Sequence, residues 1–149
     1  MPHLRLEVPV EWLSEDFRIA TDFDARKLLG VLLQTVTDLR MENPATEKTP
    51  PEVPMINLGN LKHAIIPVHS AGVGGDASKG FLHVTLAVGN DTPGRTAEVR
   101  SRAAEVLGNV MDEFAAGLPG LGSATVHVQD IDRSRGYSTA AERRKKRGN

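Results

Sequence analysis

The second residue of the chain, Pro2, is a candidate base. A small second residue such as proline favours removal of the initiator Met1, and that removal leaves Pro2 with a free secondary amine. A neutral amine accepts a proton when apolar walls or nearby cations disfavour its charged form. The sequence therefore offers one group for general base catalysis at its amino end.

The residues after Pro2 predict a strand that would hold this amine in place. Leu4, Leu6 and Val8 alternate with polar residues, which is the period of a strand with one apolar face. A terminus within a sheet is held in position, whereas an ordinary chain end frays. The alternative is that Pro2 merely opens an edge strand and has no chemical role.

A second candidate residue is Arg95, which stands one residue before the predicted start of a helix. Thr96 is a suitable N-cap, and the apolar residues from Val99 to Phe114 then lie on one side of a helix. The helix dipole slightly disfavours a cation at this end, so the position of Arg95 indicates an anionic partner. Backbone N–H groups at the helix start would share that anion.

The overall composition fits one domain followed by a basic tail. A chain of 149 residues is long enough for a single core, and it contains no cysteine and no apolar run of membrane-spanning length. Residues 133–149 hold seven of the 18 Lys and Arg residues but one of the 19 Asp and Glu residues. We expect a soluble cytoplasmic protein with a domain at 1–132 and a tail at 133–149.

The first half of the chain predicts a strand, a helix and a second strand. Residues 11–20 have no clean period and are interpreted as a loop with one helical turn. Thr21 to Asp24 fits a capping box, and an apolar stripe then predicts a helix from Asp24 to Met41. The proline-rich segment 42–60 is longer than most connections and is expected to be irregular. Residues 61–68 are mostly apolar, as in a buried strand.

The second half repeats the same order of elements. A glycine-rich loop at 70–80 precedes a strand at 81–88, the helix after Thr96 follows, and a strand is predicted at 124–131. We therefore predict a two-layer α+β fold of the broad α/β class. Its duplicated β-α-β units would form a four-stranded mixed sheet with both helices on one face.

The opposite face of that sheet would be left bare. The side chains expected on it are mostly polar, namely His3, Arg5, Glu7, His83 and Thr85. The strand predicted at 61–68 would add apolar neighbours to this set. Packing of this face against other subunits is the natural way to cover it.

These features resemble the tautomerase superfamily. The resemblance lies in the opening Met1-Pro2-His3, the double β-α-β order and, most specifically, Phe81 to Leu86 with Gly89 and then Gly94-Arg95-Thr96. Within that superfamily the sequence is most similar to the 5-carboxymethyl-2-hydroxymuconate isomerases. The resemblance spans most of residues 2–131, although residues 90–93 are longer than the turn of that family.

The resemblance implies a cofactor-independent isomerase of aromatic catabolism that forms a homotrimer. Pro2 would move a proton between oxygen and carbon of an unsaturated 2-hydroxy or 2-oxo (di)carboxylate, and Arg95 would help to bind this small-molecule substrate. The family also has an arginine near the start of the strand predicted here at 61–68, where this sequence has Lys62 and then His63. Lysine keeps the charge but lacks the two-pronged grip of a guanidinium, so the substrate need not be the same.

Other functions remain as alternatives. A tautomerase-like trimer that binds a ligand or partner without turnover fits the same pattern. The tail residues 143–147 would bind nucleic acid or another anion, although no aromatic residues interleave to stack bases. The five histidines form no metal-binding spacing, and the glycines of 72–77 precede a strand where a dinucleotide site needs a helix. We therefore expect no metal and no cofactor.

Overall fold

The computed structural model describes residues 2–42, 52–89, 92–131, 143–145 and 147–148. Among these residues the elements follow one another in the order β1 (His3–Pro9), a 3₁₀ turn (Val10–Leu13), α1 (Glu15–Thr21), α2 (Ala25–Asp38), β2 (Arg40–Glu42), β3 (Glu52–Pro54), a second 3₁₀ turn (Leu58–Asn60), β4 (Lys62–Val68), β5 (Gly80–Gly89), α3 (Ala97–Ala115) and β6 (Leu121–Ile131). None of the helices in the described ranges is long and apolar enough to cross a membrane.

The main sheet has the strand order β4-β1-β5-β6. Strand β1 is parallel to β4, β5 is parallel to β6, and the two pairs meet through the antiparallel neighbours β1 and β5. This is the four-stranded mixed sheet built from two β-α-β units that the sequence predicted. Strand β1 is therefore a central strand, so its start lies inside the sheet rather than at its edge.

One face of the sheet carries the core. The apolar residues of β1 and β5 that alternate toward this face are fully buried, and they belong to one cluster with residues of α2 and α3. The central members of the cluster are Leu4, Leu6, Val84, Leu86, Leu28, Leu32, Val36, Ala103, Leu107 and Met111. The period of two in the strands and the apolar stripes of the helices thus meet on the same side, as predicted.

The elements that the structure describes leave the other face of the sheet without a covering layer. Because directly paired residues share a face, the register aligns Glu7 with His83, and His83 with Thr125. The Nδ1 atom of His83 lies 2.6 Å from the Thr125 hydroxyl, and its Nε2 atom lies 3.2 Å from the Thr85 hydroxyl. The polar face that the sequence predicted is therefore confirmed.

Two segments of the first half were predicted wrongly. Residues 11–20 form a 3₁₀ turn and α1, because Ser14 caps α1 by accepting from Phe17 N at 3.1 Å and the Trp12 ring stacks on the Phe17 ring. The capping residue of α2 is Asp24, not Thr21. These helical pieces are too short to leave a period in the sequence.

The predicted helix to Met41 was also too long. Helix α2 ends at Asp38, and Leu39 has an extended backbone whose carbonyl accepts from Met55 N at 2.8 Å. Residues Arg40–Glu42 then pair with Glu52–Pro54 as the antiparallel strands β2 and β3. Pairing with a distant segment therefore overrides the local helical pattern. Part of the predicted irregular segment, 43–51, lies outside the described residues, as does most of the tail at 133–149.

Candidate active site

Pro2 is held at the start of the central strand. Its carbonyl oxygen accepts a hydrogen bond from Lys62 N at 3.0 Å, which extends the β1–β4 pairing by one residue. Pro2 is buried, and the alternation of β1 places it on the same side of the sheet as Leu4. Pro2 is thus positioned by the sheet, as the sequence predicts.

A cavity of about 440 Å³ opens beside Pro2. One wall is apolar and comes from β2, β3 and the chain that follows β3, namely Met41, Val53, Pro54, Met55 and Ile56. Asn57 and Asn60 add side-chain amides, and the turn before α3 adds Thr92, Pro93 and Arg95. The volume and the mostly apolar lining with a few polar groups are typical of a small-molecule site.

Arg95 brings the positive charge of this cavity and also connects two of its walls. Its Nε and Nη2 atoms donate to the carbonyl oxygen of Met55 at 3.1 and 3.0 Å. Its Nη1 atom donates to the Thr92 hydroxyl at 3.0 Å and to the Gly89 carbonyl at 3.5 Å. Arg95 therefore connects the chain after β3 to the turn after β5. It helps to fix the shape of the cavity and also gives it a positive charge.

The turn that carries Arg95 is packed tightly against β2. Gly94 has a φ of +89°, and a Cβ atom there would lie 2.2 Å from the carbonyl oxygen of Glu42. Only glycine fits this conformation and this close approach. Thr96 then caps α3 by accepting from Val99 N at 3.3 Å, as the sequence predicted.

Lys62 and His63 do not line the cavity in the single chain. Both are exposed on the edge strand β4, and Lys62 pairs with His3 on the open face of the sheet. Partial burial and then the positive charges of Lys62 and Arg5 lower the pKa of His3. Pro2 and Arg95 thus line one cavity, whereas Lys62 contacts Pro2 through its backbone N–H and is not among the lining residues. The role of Lys62 and His63 in substrate binding stays a prediction.

The sequence reasoning missed most of the cavity wall. Asn57, Asn60 and the carbonyl of Met55 lie in the segment that was interpreted only as irregular chain. The signal available in the sequence was its unusual length together with Pro50, Pro51 and Pro54. In the described parts of the chain, no three His, Asp or Glu side chains lie close enough together to hold a metal ion.

Comparison with known proteins gives a match in structure only. No protein-family model and no curated protein sequence matches the chain. A 5-carboxymethyl-2-hydroxymuconate delta-isomerase superposes with a TM-score of 0.62 at 18% identity, over 93% of this chain and 87% of that one.

Two further solved structures have the same architecture. A fused 4-OT described as an asymmetric trimer matches with a TM-score of 0.57 at 12% identity, over 99% of both chains. Pt0534 inactivated by 2-oxo-3-pentynoate matches with a TM-score of 0.55 at 13% identity, over 94% of this chain and 93% of that one. These matches, at identities of 12–18%, establish a shared fold.

Proposed function

We propose that the chain is a cofactor-independent isomerase that moves a proton between oxygen and carbon of an unsaturated 2-hydroxy or 2-oxo carboxylic acid. In this proposal Pro2, freed of Met1, is the general base. One observation carries the proposal: Pro2 and Arg95 are distant in the sequence, yet both line the same cavity. The fold shared with a muconate isomerase and with a protein inactivated by a 2-oxo acid supports the same class of chemistry.

With Met1 removed, the position of Pro2 on this cavity would suit it to act as a base. Removing an amine from water disfavours its charged form, and the positive charge of Arg95 on the same cavity acts in the same direction. Both effects keep a free Pro2 amine neutral closer to working pH. A neutral amine has the lone pair that proton abstraction requires.

The proposed reaction has two proton transfers. The Pro2 amine takes the proton from the 2-hydroxyl group of the enol form, and the electron pair of that O–H bond forms the C=O bond. The electrons of the C=C bond then take a proton from the Pro2 ammonium group at carbon. The amine is regenerated neutral, so the reaction needs no external acid, oxidant or reductant.

Arg95 would stabilise the charge of the substrate. A carboxylate in the cavity lies near a guanidinium that is held in place by Met55 and Thr92, so little reorganisation is needed. Lys62 and His63 stay predicted substrate contacts, and they would reach the substrate in an assembly that brings β4 of one copy to the cavity of another. Their exposure on β4 is compatible with such an arrangement.

The homotrimer is also part of this proposal. The open face of the sheet carries His83, Thr85 and Thr125, and the exposed strand β4 forms one edge of that sheet. A matching structure is described as a trimer. Light scattering should therefore give about three times the chain mass of 16.1 kDa, and a stable monomer at micromolar concentration would contradict this part of the proposal.

Blocking the amine of Pro2 tests whether this residue is the general base. Mass spectrometry of untagged protein should first show a chain that begins at Pro2. Extra residues added before Pro2 convert the amine into an amide, and they should lower kcat for 2-oxo acid enolisation by about 10²–10⁴. The same residues added at the carboxyl end serve as the control and should leave kcat unchanged. Full activity in a chain that retains Met1 would refute a base at Pro2.

A further inference from the structure

The β2–β3 hairpin supplies part of the wall of the cavity beside Pro2, yet it has little support of its own. Met41, Val53 and Pro54 of this hairpin line that cavity. Its two strands have three residues each and form a separate two-stranded sheet. A two-stranded hairpin is at best marginally stable in water. The position of this wall therefore depends on contacts outside the hairpin.

Two arginines near the start of α3 hold the base of the hairpin. Arg95 donates to the carbonyl oxygen of Met55, which directly follows β3. Arg102 of α3 donates from Nη2 to the carbonyl oxygen of Arg40, the first residue of β2. Because Arg40 pairs with Pro54, both guanidinium groups meet the hairpin at its base. The two sides of that base are thus connected to the start of α3.

A second cavity, of about 510 Å³, is lined by both the hairpin and the start of α3. The hairpin contributes Arg40, Glu42 and Glu52 to this lining, and α3 contributes Glu98 and Arg102. Arg40 offsets one of the two hairpin carboxylates, so without Arg102 each side of the cavity would keep one net negative charge. Like charges repel, and water and salt weaken the effect at exposed residues. Arg102 thus removes a repulsion as well as adding a hydrogen bond.

Met41 connects the two cavities. It is buried and lines both of them, whereas Arg102 does not line the cavity beside Pro2. Because Met41 directly follows Arg40, a shift of the Arg40 carbonyl would also move Met41. A contact outside the candidate active site therefore bears on the shape of that site.

We infer that Arg102 is a positioning residue for the candidate active site: it holds β2, and with it the Met41 wall, in place beside Pro2. This inference rests on the proposed function. Arg102 acts through the Arg40 carbonyl and takes no part in proton transfer. Its removal should weaken substrate binding. The chemical step and the titration of Pro2 should stay as they are, because Arg95 still lines the cavity.

Steady-state kinetics of Arg102→Ala test this role, with 2-oxohexanoate as the probe and NMR detection of the exchange of its C3 hydrogens for deuterium. We expect KM to rise about three- to tenfold, kcat to stay within about twofold, and the acid limb of the pH profile to stay at the same pH. Arg102→Lys keeps a donor and a positive charge, so it should return KM to within about twofold of the wild type.

Lys27→Ala is the control, because it removes an exposed cation of α2 that lines neither cavity. Its KM should equal that of the wild type. A KM that is unchanged in Arg102→Ala, or that is not restored in Arg102→Lys, would overturn the inference.

Amide hydrogen exchange gives a second measurement, which needs no substrate. The Met55 amide donates to the Leu39 carbonyl at 2.8 Å at the hairpin base, whereas Leu86 is buried in the central strand β5. In Arg102→Ala we expect exchange to be about three- to tenfold faster at Met55 and unchanged at Leu86. Equal acceleration at both amides would show global destabilisation, and no acceleration at either would show that Arg102 does not hold the hairpin. Both of these results would overturn the inference.

The same experiments separate this inference from the proposed function. Absence of 2-oxohexanoate exchange in the wild type would refute the proposed function and, with it, a role of Arg102 in substrate binding. The exchange rate at Met55 would then decide separately whether Arg102 holds the hairpin. Turnover in the wild type with an unchanged KM in Arg102→Ala would overturn the inference and leave the proposed function intact.

Discussion

The two β-α-β halves of the sheet share a plan but differ in what lies between their strands. The second half passes from β5 to β6 through α3 alone, whereas the first half passes from β1 to β4 through α1, α2 and the β2–β3 hairpin. The cavity beside Pro2 lies where that extra chain of the first half meets the turn before α3. The repeated unit therefore builds the sheet and the core, while the added segment of the first half supplies most of the wall of the candidate site.

The largest expected effect tests whether the halves share one core. Leu32 of α2 and Leu107 of α3 are both fully buried in the same cluster. Each change to alanine should lower the free energy of unfolding by about 2–5 kcal/mol, because it leaves a cavity in close-packed surroundings. Denaturant unfolding measures both. Val31→Ala, at an exposed position of α2, is the control and should cost less than about 1 kcal/mol. If only one of the two leucines proves important, the halves do not share a single core.

The next effect tests whether the site depends on the contact between the halves. Arg95→Gln removes the positive charge of the cavity and the hydrogen bonds to the Met55 carbonyl. Charge-assisted contacts of this kind contribute roughly 1.5–3 kcal/mol, so we expect kcat/KM for a 2-oxo acid to fall by about 10–100-fold. For the neutral ester of that acid, kcat/KM should fall by a smaller factor. Loss of the nearby cation also makes the Pro2 amine easier to protonate, so the acid limb of the pH profile should move to higher pH.

The matched control for Arg95 is Arg100. It lies in α3, five residues after Arg95, donates to the Arg95 carbonyl at 2.5 Å and forms an ion pair with Asp130 at 3.1 Å, but it does not line the cavity beside Pro2. Arg100→Gln should therefore leave the acid-to-ester ratio and the pH profile in place. If Arg95→Gln lowers kcat/KM equally for the acid and the ester, and the acid limb of the pH profile does not move, then Arg95 has only a structural role.

A smaller effect compares how the two long helices begin. Asp24 accepts from Arg26 N and Lys27 N at 3.0 and 3.2 Å, whereas Thr96 accepts from Val99 N at 3.3 Å. Each change to alanine should lower the free energy of unfolding by about 0.5–2 kcal/mol. Asp24→Ala should cost more, because a carboxylate also interacts favourably with the helix dipole. Thermal unfolding that ranks Thr96→Ala as the more damaging change would contradict this reading of the two caps.

The smallest effect concerns His3, next to Pro2 on β1. Burial and the charges of Lys62 and Arg5 hold the pKa of His3 below its ordinary value of 6.5. The unfolded chain therefore binds this proton more readily, so stability falls as the pH drops from 6.5 toward the lower folded-state pKa. His3→Gln should lose less stability than the wild type over that interval. Parallel pH–stability curves for the two proteins would show that His3 is not responsible for the change.

The elements that were predicted well are those with a repeated local pattern. The alternation in β1 and β5 and the apolar stripe of α3 each repeat often enough to identify both the element and its buried face. The hairpin of β2 and β3 was missed because each strand has three residues, too few for a period. Its formation depends on pairing between distant residues, which outweighs the helical preference of the chain before it.

The candidate site was predicted in part for a related reason. Pro2 and Arg95 have special positions that are visible in the sequence, one at the chain start and the other at a helix start. Asn57 and Asn60 are ordinary polar residues in irregular chain, and Met55 contributes through its backbone carbonyl, which carries no mark in the sequence. Lys62 is the cation nearest along the chain to the arginine position of the family, but neighbours along a strand point to opposite faces, and Lys62 lies on the open face.

Local spacing and residue type are enough to predict most of the core-facing residues, the position of most strands and of the long helices, and the candidates for unusual chemistry. These features can be read along the chain. The tertiary structure was needed to show that Pro2 and Arg95 line one cavity, that Arg95 bridges two loops, and that Lys62 lies on the open face. Those relations come from the pairing of distant strands and from the packing of loops on them, and no local pattern encodes the distance between two such segments.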